Sequence, residues 1–259
     1  MAKIDYIYEK KSKIRFSRNL LQLVAMVTML IDHIGVMLIM NGKLYGYQEK
    51  LYRYVITLDE AKLYMILYTI CRTIGRISFP IFAFLFVEGF LRSQNLFKYF
   101  IRLLLLAIVS EIPFDLMVFN KWYDFSTQNV IWTYIVNFII LIFIKKIYDM
   151  YPIFQLILTI IGGGICYIIK SDYAIEGTIL IFIYYSFKLD RNLRTLFTGI
   201  ATFIYTISKR YGAGAISAFF IHFYDGTKGP LELKKVHYIF YPLHMFILYL
   251  IVYFSYYKI

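Results

Sequence analysis

The chain has 259 residues, of which 60% are apolar, 20% aromatic and only 17% charged, with a mean hydropathy of +0.63. Soluble domains carry about 25% charged residues, so lipid must cover part of this surface, which excludes a cytosolic enzyme, a disordered chain and a disulfide scaffold. The net charge of +12 falls largely between apolar stretches, the pattern of positive-inside loops rather than of a nucleic-acid-binding face.

Residues 1–18 form a basic segment, with Asp5 and Glu9 as its acidic residues. No small-residue cleavage site follows, so the first apolar run is expected to be a retained helix. A hydrocarbon core about 30 Å thick takes about 20 apolar residues per helix. On that measure residues 19–259 read as one transmembrane domain, an all-α polytopic membrane helix bundle of about eight to ten crossings. The runs lie at 19–40, 62–92, 95–119, 128–148, 152–170, 173–188, 193–209, 213–224 and 236–257. The second is too long for one straight crossing, and Pro80 predicts a kink or break there. The eighth is short enough to be re-entrant. Residues 41–61 are a polar insertion, expected as an outer loop or surface helix. Basic residues at the N-terminus, Arg92/Lys98, Lys145/Lys146 and Lys188/Arg191/Arg194 place the N-terminus in the cytoplasm.

An Arg, Lys or Asp near the bilayer centre costs about 2.5–3.5 kcal/mol, so charges inside these spans mark a pocket or a pairing network. Span one carries Asp32 and His33, and span two carries Arg72, Arg76 and Glu88. Span three carries Arg102, Glu111 and Asp115, span four opens with Gln128 and Asn129, and span six holds Glu176. Arg72 and Arg76 are four apart and share a helical face, as do Glu111 and Asp115. Asp32 lies about 20 Å from the cytoplasmic end of its span, at a depth similar to the other polar groups. Together they predict a polar site within the membrane.

Neighbours on a helix point about 100° apart, so Asp32 is not expected to hold the His33 ring; Asp115 or Glu111 is. A His–carboxylate unit suits a general base that takes a proton from an amine or hydroxyl. No nucleophilic Cys or Ser motif accompanies it, which favours direct transfer. Cys71 and Cys166 lie in apolar runs, and neither a disulfide nor a metal site is expected. Asp225-Gly226-Thr227-Lys228-Gly229 reads as a turn that, with Lys234 and Lys235, offers cations to an anionic group. Tyr241-Pro242-Leu243-His244 bends the last span and points a second histidine inward.

Six segments resemble the TraX family in order and spacing. They are Ile31-Asp32-His33-Ile34-Gly35, the stretch from Gly75-Arg76 to Phe84, Val87-Glu88-Gly89-Phe90, Ser110-Glu111-Ile112-Pro113-Phe114-Asp115, Gln128-Asn129-Val130 and Phe240-Tyr241-Pro242-Leu243-His244. The resemblance runs from about residue 18 to the C-terminus. It departs at Tyr173-Ala174, where the family has Tyr-Gly, and in the 225–229 turn. It implies an inner-membrane acetyltransferase, similar to the wider transmembrane acyltransferases that use cytoplasmic acyl-CoA and a membrane-embedded histidine. The implied acyl donor is acetyl-CoA, and the implied acceptor is a peptide or pilin N-terminus. His33, Asp32, Asp115, Glu111 and Arg76 are then the expected catalytic groups. Gln128, Asn129, Arg72, Glu88, Glu176, His244 and Tyr241 are expected to bind substrate. Arg76, Arg102, Lys98, Lys228, Lys234 and Lys235 are expected to hold the donor. No nucleic acid is expected as a partner. An O-acetyltransferase acting on a cell-envelope glycan or lipid shares this chemistry, and a proton-coupled transporter would use the same buried charges.

Overall fold

A computed structural model describes residues 14–147, 151–230, 233 and 236–257. Lys234, Lys235 and most of the basic 1–18 segment lie outside the described residues. The described chain is an all-α bundle, with a helix at each of the nine expected apolar runs.

Helix α1 (Arg18–Ile34) starts at Ser17, whose side chain accepts from the Leu20 N–H at 3.3 Å. It runs on without interruption into a π-helical segment, Gly35–Lys43. The polar insertion holds α2 (Glu49–Val55), a short surface helix with no buried residue. The second span is broken, as expected, into α3 (Asp59–Gly75) and α4 (Ser78–Arg92). The break falls at Arg76–Ile77, before Pro80. Pro80 sits in the first turn of α4, where its missing N–H would have had no helical partner anyway.

Helix α5 (Leu96–Phe119) is capped by Asn95, and α6 (Ile131–Ile147) and α7 (Pro152–Ile168) follow. Then come α8 (Ala174–Ser186), α9 (Arg191–Arg210), the short α10 (Ile216–His222) and α11 (Val236–Val252). The α11 rod ends in a second π-helical turn, Tyr253–Tyr257. Among the described residues three helical stretches, Arg18–Lys43, Asp59–Arg92 and Val236–Tyr257, are long and apolar enough to cross a membrane.

Helix α4 is the axis of the bundle. Phe79, Ile81, Ala83, Phe84, Phe86, Val87 and Phe90 point in different directions from it, and all are buried. An apolar helix buried all round needs neighbours on every side, and α1, α8, α10 and α6 supply them. The outer helices do the reverse. Ile153, Leu156 and Ile160 of α7, and Ile108, Val109 and Ile112 of α5, stand exposed. Such an apolar exterior is the surface a bilayer covers. Between the layers the glue is polar: Asn137 donates to the Thr178 hydroxyl at 2.9 Å, and Thr133 to the Ser171 hydroxyl at 2.8 Å.

Candidate active site

A cavity of about 680 Å³ runs between α1, α4, α5 and α11. On α1 it is lined by Arg18, Gln22, Met29, Asp32 and His33, a set that follows helical spacing, and on the π-helical segment by Val36. From Arg18 to His33 is about 22 Å of helix. The middle is an aromatic sleeve that includes Phe79, Phe82, Phe86, Tyr134 and Tyr241. Phe79 stacks on Tyr173 at 3.9 Å, and Phe86 on Tyr134 at 4.9 Å.

At the end of the cavity away from Arg18 the buried Asp32 carboxylate is shared by two guanidiniums. Arg72 Nη1 lies 2.6 Å from Oδ2 and Arg76 Nη2 lies 3.2 Å from it. Arg76 stands in the turn that breaks the second span, and its Nε donates to the Arg72 carbonyl at 3.1 Å. The break thus places both arginines around one carboxylate. Gly75 is required for this approach, because a Cβ there would overlap the Asp32 carboxylate. A second acid, Asp172, lines the same end from the connection between α7 and α8. Burial pushes its carboxyl up to about 6, against the pull of Arg76 and Arg72.

His33 is held by another histidine. Its Nδ1 lies 2.6 Å from His244 Nε2, and the rings are 2° from parallel. His244 Nδ1 is in turn 2.6 Å from the Phe240 carbonyl. A carbonyl only accepts, so His244 Nδ1 carries a proton, and in the neutral ring Nε2 accepts. His33 Nδ1 is then the donor, and the His33 lone pair is on Nε2. This corrects the expectation that Asp115 or Glu111 orients His33.

Both carboxylates have other work. Glu111 accepts from Trp132 Nε1 at 2.8 Å, from the Asn129 backbone N–H at 3.2 Å and from the Asn129 side-chain amide. It therefore staples α5 to the start of α6. Asp115 Oδ2 accepts from the Asp124 N–H at 3.0 Å and holds the loop after α5, while its Oδ1 is buried without a partner. Asn129, expected to bind substrate, is fully buried and spends its amide on Glu111 and the Ala107 carbonyl. Gln128 pairs through its backbone with Lys170 and Asp172.

Arg72, Arg76, Asp32, His33 and Tyr241 are thus brought to one cavity, with His244 directly behind His33. Arg102 lines the cavity at its other end, whereas Lys98, Lys228, Glu176 and Glu88 are not among its lining residues. Lys98 and Lys228 are exposed, Glu176 is half-buried in the first turn of α8, and Glu88 is buried beside Arg92. Sequence reasoning missed Gln22, Arg18, Arg92 and Asp172. For Asp172 the available signal was a charge directly before an apolar run, which reads as an ordinary span boundary.

The fold and site together define an all-α membrane bundle whose cavity ends in a histidine pair and a buried Arg–Asp–Arg cluster. The chain belongs to the TraX protein family, which it matches over residues 17–252. It is also 22% identical over 255 residues to the probable fimbrial assembly protein FimC, serogroup H1, of Dichelobacter nodosus. That match covers 91% of this chain and 95% of the relative. No solved structure matches the chain.

Proposed function

We propose that this protein transfers an acetyl group from acetyl-CoA to an amine, a peptide or pilin N-terminus, from a site inside the bacterial cytoplasmic membrane, with its own N-terminus in the cytoplasm. The observation that carries this reading is the chain Phe240 carbonyl, His244, His33, which sets the His33 Nε2 lone pair as a base beside the cavity. Membership of the TraX family supports the class of reaction, and the fimbrial assembly protein to which the chain is similar supports a pilus-related acceptor.

The His33 Nε2 lone pair takes a proton from the acceptor amine as the amine nitrogen bonds to the thioester carbonyl carbon. Charge then develops on the carbonyl oxygen. Arg72 and Arg76, which line the cavity around Asp32, supply the guanidinium N–H donors that meet that oxyanion. As the carbon–sulfur bond breaks, the His33 Nε2 proton passes to the leaving thiolate and the base is restored. His244 holds the ring in the reactive tautomer throughout. The aromatic sleeve keeps water from the thioester.

The test is transfer of labelled acetyl from acetyl-CoA by protein in lipid nanodiscs, with mass spectrometry of the acceptor peptide. The wild type is expected to acetylate the peptide N-terminus, and His33→Ala to lose that activity. A His33→Ala protein with the wild-type rate would overturn the reading.

A further inference from the structure

Toward the end of the cavity opposite the histidines stand three arginines from three helices. Arg18 opens α1, Arg92 closes α4, and Arg102 lies in the second turn of α5; all three line the cavity. One turn ties two of them together. The Thr227 and Lys228 carbonyls accept from the Arg18 and Asn19 N–H groups at 2.8 and 3.2 Å. The Gly226 carbonyl accepts from Arg92 Nη1 at 2.8 Å. The 225–229 turn therefore takes up the backbone donors that begin α1 and also fixes Arg92. It can do so only because Gly229, at φ +80°, leaves room for Ser17, with which a Cβ would collide.

Arg92 is held from behind as well. Its Nε lies 2.9 Å from Glu88 Oε2, a carboxylate whose side chain is 4% exposed, while the Arg92 side chain is 37% exposed. A carboxylate so deeply buried needs compensation beyond one partner at the surface. The positive charge of Arg194, on α9, acts on the same carboxylate. That arginine is itself buried, with its guanidinium 5.1 Å from the Phe84 ring centre and its Nη1 donating to the Lys188 carbonyl at 3.3 Å. The chain thus buries a carboxylate at one end of its cavity, in direct contact with the Arg92 guanidinium. A solvated surface charge needs no such support.

We propose that Arg18, Arg92 and Arg102 form a binding site for a soluble phosphate ester or diphosphate, with Glu88 and Arg194 as positioning residues for Arg92. Guanidinium forks match phosphate oxygens in bidentate geometry, and three of them around one opening suit a polyanion rather than a single carboxylate. The proposal deepens the acetyl-transfer reading, on which it rests for its physiological ligand, by assigning the end of the cavity where the donor's phosphates dock. It also revises the expected cation set: Arg102 remains, and Arg18 and Arg92 take the place of Lys98 and Lys228.

The same three arginines would also attract an anionic lipid headgroup, so the test separates the two sources. Inorganic pyrophosphate is titrated against the full chain in nanodiscs of phosphatidylcholine alone and of phosphatidylcholine with phosphatidylglycerol. Wild-type protein is expected to bind in both bilayers, and Arg92→Gln and Arg102→Gln each to weaken binding about tenfold. Glu88→Gln removes a negative charge near the anion, so a simple field effect would tighten binding. Loss of Arg92 positioning weakens it instead, and thermal unfolding checks that the variant is folded. Arg102→Gln changes an exposed side chain and keeps the test decisive if Glu88→Gln does not fold. Equal affinity in the arginine variants would overturn the proposal. So would binding that phosphatidylglycerol abolishes, which would make this a headgroup site. Binding is read without acyl transfer, so failure of this site and failure of the acetyl-transfer reading give different results.

Discussion

His33 on the first transmembrane helix and His244 on the last are joined nitrogen to nitrogen at 2.6 Å, with their rings parallel. A histidine pair of this kind needs no carboxylate to set a tautomer, because the Phe240 carbonyl behind His244 fixes where each proton resides. It also adds no net charge to the interior while both rings are neutral.

His33→Ala is expected to lower acetyl transfer by about 100- to 10,000-fold, the range for loss of a general base. His244→Ala leaves His33 in place but frees its ring, so a smaller loss is expected. His244→Gln offers an amide oxygen to His33 Nδ1 and should recover part of that loss. The measurement is initial rate against acceptor concentration, with equal losses in all three variants counting against the relay.

Replacing Asp32 by Asn leaves two guanidiniums buried around a neutral group. Breaking a buried pair by removing one partner costs about 3–5 kcal/mol, so the variant should unfold at a markedly lower temperature in detergent. Arg72→Gln should cost less, because Arg76 still pairs with Asp32. Gly75→Ala should resemble Asp32→Asn, since its methyl group would push the carboxylate away. Thermal unfolding of the three variants orders these effects.

Asp172 gives the site a pH dependence of known sign. Its folded-state pKa of about 6 stands above the ordinary carboxylate value of about 3.9. Between those values the folded protein binds more protons than the unfolded chain. Stability is expected to fall as pH rises from about 4 to about 6 and then to level off. Asp172→Asn should remove this component, leaving a flatter curve of midpoint temperature against pH. A wild-type and variant difference that does not change across this window would refute it.

Trp132→Phe removes one donor to Glu111 and keeps the aromatic volume. It should lower stability by about 1 kcal/mol and leave the transfer rate per folded molecule unchanged, because Glu111 serves the α5–α6 junction. A loss of rate without a loss of stability would return Glu111 to the chemistry.

The apolar runs and the broken second span were legible because a bilayer demands about 20 apolar residues per crossing and a proline interrupts a helix. Arg72 and Arg76 were legible as a pair from their spacing of four. Their partner was not, since nothing in a local pattern connects them to a residue in another helix. The same holds for His33, whose partner is 211 residues away. Glu111 and Asp115 misled because a carboxylate at the right depth resembles a catalytic group whether it faces a cavity or a neighbouring turn. Burial and hydrogen-bond partners separate the two cases, and these are properties of the folded bundle.

The Arg–Asp–Arg cluster also bears on how the chain enters the membrane during synthesis. Arg72 and Arg76 would each cost about 2.5–3.5 kcal/mol in a helix inserted alone, and their countercharge is carried 40 and 44 residues earlier, on α1. The second span is therefore a poor independent passenger. Its two arginines are compensated only where α1 lies beside it, so a second span deprived of α1 bears the full cost of both charges in lipid.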